Sequence, residues 1–136
     1  MIRPAPLRRR LTARSSRGSA SVQMVILMPV MFAVMFLGVQ AALWYHARTV
    51  AAAAAQEGAR AAGAETGTAS GGITTAADFV AQSGGADVIE GASVSGSRTA
   101  TTATVAVRGR ALSVIPGWSL RVNQSVSVPA ERLTTR

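Results

Sequence analysis

The chain has 136 residues, 49% of them hydrophobic but only 4% aromatic, and a charged share of 15%, well under the usual quarter of a soluble domain. Its apolar content is alanine, valine, methionine and leucine, which argues against a large aromatic-lined pocket. The lack of any cysteine excludes disulfide scaffolds, thiolate metal sites and cysteine nucleophiles. The formal charge of +8 comes from arginine alone among the basic residues, and its placement matters more than its size.

Six arginines, Arg3, Arg8, Arg9, Arg10, Arg14 and Arg17, crowd the beginning of the chain, and no acid precedes Glu57. From Ser19 onward eight arginines face all six acids, a formal +2. A basic tail of this kind would suit nucleic acid if it flanked a soluble fold. Here it leads straight into an apolar segment instead, so no nucleic-acid partner is expected.

Val22 to Tyr45 carries no charge. As a helix it rises roughly 36 Å, enough to cross a hydrocarbon core of about 30 Å. Arginines before it and near-neutrality after it predict a single-pass protein with a cytoplasmic N-terminus and an extracytoplasmic remainder. The apolar run is longer than the core of a cleaved secretory signal and ends in Trp-Tyr rather than in small residues. Trp44, Tyr45 and His46 suit the headgroup layer, and Arg48 can snorkel to it. Inside the span, Pro29 removes one backbone donor and predicts a kink. Gly38 and Ala42 form a small-xxx-small pair on which a second helix could pack, and the amides of Gln23 and Gln40 call for hydrogen-bonding partners. Gln23, Pro29, Gly38, Gln40 and Ala42 are thus the candidate helix-packing positions.

Beyond the span, the alanine-rich stretch Thr49–Ala64 continues the helix as a stalk, ended by Gly63 and Gly67. Glu57 and Arg60 are spaced to pair on one helical face. A Gly/Ser/Thr/Ala linker occupies 66–73. A short helix capped by Thr74 or Thr75 then runs through Ser83, stopped by Gly84-Gly85. Three strands follow, at Val88–Ser95, Thr99–Arg108 and Trp118–Val128. In the last, Trp118, Leu120, Val122, Gln124, Val126 and Val128 share a buried face and Ser119, Arg121, Asn123, Ser125 and Ser127 a wet one. Pro116-Gly117 makes a turn ahead of it. The fold class is α+β: a long N-terminal transmembrane helix continuing into a stalk, then a short helix and a small antiparallel sheet.

Catalytic chemistry has no residues to stand on. The single histidine, His46, sits at the expected membrane boundary, so no histidine triad or multi-histidine metal site forms within one chain. Asp87 and Glu90 read as a solvated turn and strand edge, and the glycine pairs at 71–72 and 84–85 lack the lysine of a phosphate loop. No enzyme activity, cofactor, metal or small-molecule substrate is expected.

The junction Arg17-Gly18-Ser19-Ala20-Ser21-Val22-Gln23-Met24-Val25, with an apolar helix directly behind the glycine, resembles the processing region of type IV pilin-like proteins. Most closely it is similar to the TadE family of tight-adherence (Tad) pilus assembly proteins. Gln56-Glu57-Gly58-Ala59-Arg60 resembles the post-membrane segment of that family, with Gln56 where arginine is frequent, and the valine-rich strands and Pro129-Ala130-Glu131-Arg132 extend the resemblance over about 19–132. It implies a leader, 1–18, removed by a prepilin peptidase between Gly18 and Ser19. A transmembrane helix and stalk would then occupy 19–65 and an extracytoplasmic head 74–136, in the cytoplasmic membrane. Gln23 falls at the fifth mature position, where pilin-like proteins generally place a glutamate that pairs with a neighbour's terminal amine. Glutamine keeps the shape without the charge, which points to a minor pseudopilin rather than a repeating subunit. Membrane lipid, prepilin peptidase and other pilin-like or Tad assembly subunits are the implied partners. A signal-anchored surface binding module and a minor pseudopilin of a type II-like secretion system are the rival readings.

Overall fold

In the computed structural model, which describes residues 16–132, the chain runs α1 (Ser16–Gly63), α2 (Ala69–Gln82), a single 3-10 turn (Gly85–Asp87), then β1 (Ile89–Arg98), β2 (Thr102–Ala111) and β3 (Arg121–Pro129). The fold is α+β, as expected: a long apolar helix, a second short helix and an antiparallel sheet ordered β1-β2-β3. The tail arginines Arg3, Arg8, Arg9, Arg10 and Arg14 lie outside the described residues. The chain divides into two compact units, one ending at Met35 and the other running from Phe36.

In the first unit every side chain from Ser21 to Met35 is exposed, including Val25, Ile26, Met31 and Phe32. The helix begins at Ser16, ahead of Gly18 rather than behind it, and it continues through Pro29. A glycine costs a helix about 1 kcal/mol relative to alanine, too little to stop a long one.

The second unit is built on the alanine-rich half of α1. Ala47, Ala51, Ala54, Ala55, Ala59 and Ala62 are fully buried, at the three- and four-residue spacing of one helical face. They meet the inner face of the sheet, made by Ile89, Ala103, Val105, Val107, Ala111 and Val122, together with Ala76 and Val80 of α2. The stretch read as a stalk is therefore also the core helix of the head. Small side chains are what let backbones approach this closely. At Gly58 an added Cβ would lie 2.5 Å from the Gly72 carbonyl oxygen and 2.8 Å from the Ala76 Cβ, so α1 and α2 cross through a Gly–Gly contact.

That contact explains why α2 begins before the expected cap. Its N-cap is Thr68, whose hydroxyl accepts from the Gly71 N–H at 3.0 Å, and not Thr74 or Thr75. Thr74 and Thr75 instead donate to the Ser70 and Gly71 carbonyls within the helix. Gly71 and Gly72, read as linker residues, lie in its first turn, where a side chain at 72 would collide with Ala62.

The strands also start later than the sequence suggests, β2 at Thr102 and not Thr99, and β3 at Arg121 and not Trp118. From Arg121 the expected alternation is present: Val122 is buried, Gln124, Val126 and Val128 are partly covered, and Arg121, Asn123, Ser125 and Ser127 are exposed. Trp118, expected on the buried face, lies ahead of the strand and is exposed, because the pleat that would turn it inward begins only at Arg121. In β1 the pairing slips between Glu90 and Ser93, so Gly91 and Ala92 together face Gly109, with Gly91 at φ +59. This is a bulge with glycine in the left-handed position, and it reverses which residues face inward. Ile89 is buried before it, while Val94, Gly96 and Arg98 face inward after it. Arg98 consequently reaches the end of α1 and donates to the Ala62, Ala64 and Glu65 carbonyls. A cation there also complements the helix dipole.

Candidate membrane anchor and assembly interface

The residues expected to act lie along α1, and the structure sorts them. The backbone of Gly18 and Ser19 lies in the first turns of the helix. Gln23 is exposed. At Gly38 an added Cβ would meet nothing within 4 Å, and Ala42 one turn on is exposed, so no other part of the chain covers the small-xxx-small pair.

Gln40 behaves differently. It is 1% exposed, and its amide is used within the chain: Nε2 donates to the Leu112 carbonyl at 3.3 Å, while Oε1 accepts from the Val114 N–H at 3.0 Å and the Ser113 hydroxyl at 3.1 Å. The partner that a buried amide requires is thus the β2–β3 connection, not another helix. Trp44 is likewise turned toward the head, its Nε1 donating to the Arg121 carbonyl at 3.4 Å. Arg48 lies over the Trp44 ring, 5.6 Å from its centroid. Tyr45 and His46 are exposed.

These contacts shorten the bare apolar stretch. The uncharged run extends to Tyr45, but uninterrupted exposure ends at Val39, because from Gln40 the helix is covered on one side by its own head. Ser21 to Val39 rises about 28 Å, close to the thickness of a hydrocarbon core. A core helix of a globular domain would be covered over its most apolar window, and here none of that window is buried. The helix fits a single-pass membrane anchor.

The Gln56–Arg60 motif gains a structural meaning. Ala59 is fully buried against the sheet, Gly58 admits α2, and Glu57 and Arg60 form an exposed ion pair at 3.0 Å on the opposite side. These residues pack and solvate the helix. Among the described residues no group of three His, Cys, Asp or Glu side chains could hold a metal ion.

A family model for TadE-like protein matches residues 18–60. That segment is similar to the TadE-like family. The match begins at the glycine of the junction and ends at the arginine of the Glu57–Arg60 pair, so it covers the apolar anchor and most of the core helix. It is narrower than the resemblance drawn over 19–132, since α2 and the sheet fall outside it. No curated protein and no solved structure matches the chain.

Sequence reasoning missed Arg98, the Gly58–Gly72 crossing and the Gln40 clamp. A lone glycine within a strand-like run, Gly91, was the available sign of the bulge that aims Arg98. No local pattern announces that Gln40 and Val114, so far apart in sequence, share a hydrogen bond.

Proposed function

We propose that this chain is a single-pass minor pseudopilin of a Tad (Flp-type) pilus or an associated secretion or adhesion apparatus. In this reading it is held in the cytoplasmic membrane with its N-terminus inside and its head outside. The observation that carries the reading is the TadE-like match starting at Gly18 and falling on a bare apolar helix that leads into a separately packed head.

A prepilin peptidase removes the arginine-rich leader after Gly18, leaving Ser19 as the mature N-terminus. Because the Gly18–Ser19 bond lies in helical backbone, cleavage requires the first turn to open, and glycine, the ordinary residue with the weakest helix propensity apart from proline, makes that opening easier. The exposed Gly38–Ala42 surface then packs against other pilin-like subunits. Gln23 supplies a neutral amide where a carboxylate would neutralise a neighbour's terminal amine, which suits an accessory position.

The decisive experiment is N-terminal sequencing and intact mass of the membrane-fraction protein from cells containing a prepilin peptidase. A chain starting at Ser19 is expected, with full-length protein accumulating when Gly18→Ala is introduced. An intact leader in the wild-type chain would instead indicate a signal-anchored surface protein. For the accessory role, Gln23→Glu is expected to increase crosslinked higher-order species in cells expressing the assembly machinery; unchanged crosslinking removes that part of the reading.

A further inference from the structure

After Tyr45 the described residues expose only two large hydrophobic side chains, Val114 at 39% and Trp118 at 43%, and both belong to the connection between β2 and β3. Two isolated exposed apolar residues would mean little. Their position gives them meaning. Gln40 clamps Leu112, Ser113 and Val114 to α1 one residue past Val39, where the bare apolar stretch ends. The loop is therefore held level with the end of the bare apolar helix, alongside the exposed Phe36, Leu37 and Val39 of the same unit.

The loop is also prepared to leave bulk water. Pro116 and Gly117, the latter at φ +77, close a turn in which the Trp118 N–H donates to the Ile115 carbonyl at 3.2 Å. The Ser113 hydroxyl accepts from the Ile115 N–H, and its one hydrogen has Gln40 Oε1 and the Ile115 and Trp118 carbonyls as alternative acceptors. Gln40 takes the Val114 N–H. With the Val114, Ile115 and Trp118 N–H groups and the Leu112 and Ile115 carbonyls paired from within, the loop can approach a medium poor in hydrogen bonds without leaving these groups unpaired.

Charge completes the surface. Arg108 and Arg110 at the end of β2, and Arg121 at the start of β3, stand on the outer face of the sheet beside the loop, with Arg110 directly opposite Arg121. They line a shallow hollow of about 430 Å³ with Ser93, Ser119 and one carboxylate, Glu90. Asp87 lies just ahead of β1 at the same end of the sheet. Among the described residues the one ion pair is Arg60–Glu57, so none of the three arginines is in one. Arg110 has Glu90 directly opposite on β1 and Arg121 directly opposite on β3, so one carboxylate stands among three arginines and the like charges facing each other across β2 and β3 are only partly balanced.

Resting on the single-pass reading above, we infer that the 112–120 loop is a membrane-surface contact: Val114 and Trp118 enter the headgroup layer of the bilayer that α1 crosses, and Arg108, Arg110 and Arg121 hold the phosphates of anionic lipids. Tryptophan favours that layer, and arginine near an anionic surface is drawn to it electrostatically. The head is thereby fixed against the membrane at two points, its helix and its loop.

The test uses the full chain in nanodiscs of phosphatidylcholine, with and without phosphatidylglycerol. Trp44→Phe leaves Trp118 as the sole tryptophan. Its emission is expected to shift to the blue and to be quenched by lipids brominated high on the acyl chain, more so with phosphatidylglycerol. Combining Arg110→Gln with Arg121→Gln is expected to abolish that phosphatidylglycerol-dependent gain. A second reporter, Phe36→Trp in a Trp44→Phe and Trp118→Phe background, monitors the anchor. Quenching of this reporter without quenching of Trp118 overturns the loop contact and leaves the anchor standing. Quenching of neither overturns both.

Discussion

The two halves of α1 use the same backbone for opposite purposes. From Ser21 to Val39 its side chains are mostly valine, methionine, leucine, isoleucine and phenylalanine, and all are exposed. From Ala47 to Ala62 the inward positions are nearly all alanine, and they are covered by a sheet and a second helix. The large apolar side chains of the first half stand where no other part of the chain covers them. Small ones are required where another backbone must come close. Apolarity alone does not say which half is a protein core; side-chain size, read against what stands opposite, does.

The largest expected effect comes from exchanging these roles. Gly58→Leu forces a side chain into the 2.5 Å gap before the Gly72 carbonyl, and is expected to cost roughly 3 kcal/mol in urea unfolding of the head, measured in detergent by tryptophan fluorescence. Gly38→Leu, where an added Cβ meets nothing, is expected to leave that transition within about 0.5 kcal/mol. Its effect should fall on intermolecular crosslinking through the Gly38–Ala42 surface. Equal destabilisation by both would end the distinction between an open half and a packed half.

A smaller effect marks the border between the halves. Gln40→Leu keeps approximate volume but strips the Val114 N–H of its acceptor and the Leu112 carbonyl of its donor. The same unfolding measurement is expected to show a loss of about 1–3 kcal/mol, together with faster amide exchange at Val114. If Gln40 were instead an amide awaiting another helix, its replacement would reduce subunit crosslinking and leave exchange at Val114 alone. Smallest is Glu57→Gln, which breaks an exposed pair and is expected to shift stability by less than about 0.5 kcal/mol.

Much of this molecule is legible in its residues taken locally. An uncharged run long enough to cross a bilayer cannot be packed away by a small domain, and strict alternation along Val122–Val128 forces one face of a strand inward whatever its partner. The Gln56–Arg60 motif identified the kind of helix without disclosing what its glycine was for. Boundaries were less visible where a polar residue had two possible roles. Thr68, Thr74 and Thr75 are equally good caps in isolation, and the choice among them was made by Gly58 and Gly72, whose contact fixes how far α2 extends.

What the sequence determined by itself is therefore set by local chemistry: an apolar anchor behind an arginine-rich tail, a helix–sheet order, a strand with one wet face, and a TadE-like junction. What only the tertiary structure decided are the pairings between distant residues. These are Gln40 on the 112–114 loop, Arg98 on the end of α1 after the Gly91 bulge reverses its strand, and the assembly of Arg108, Arg110 and Arg121 around one hollow with Ser119. The physical reason is that composition and periodicity act on near neighbours, whereas a hydrogen bond or a charge cluster between distant residues exists only after the sheet has set its register against the helix.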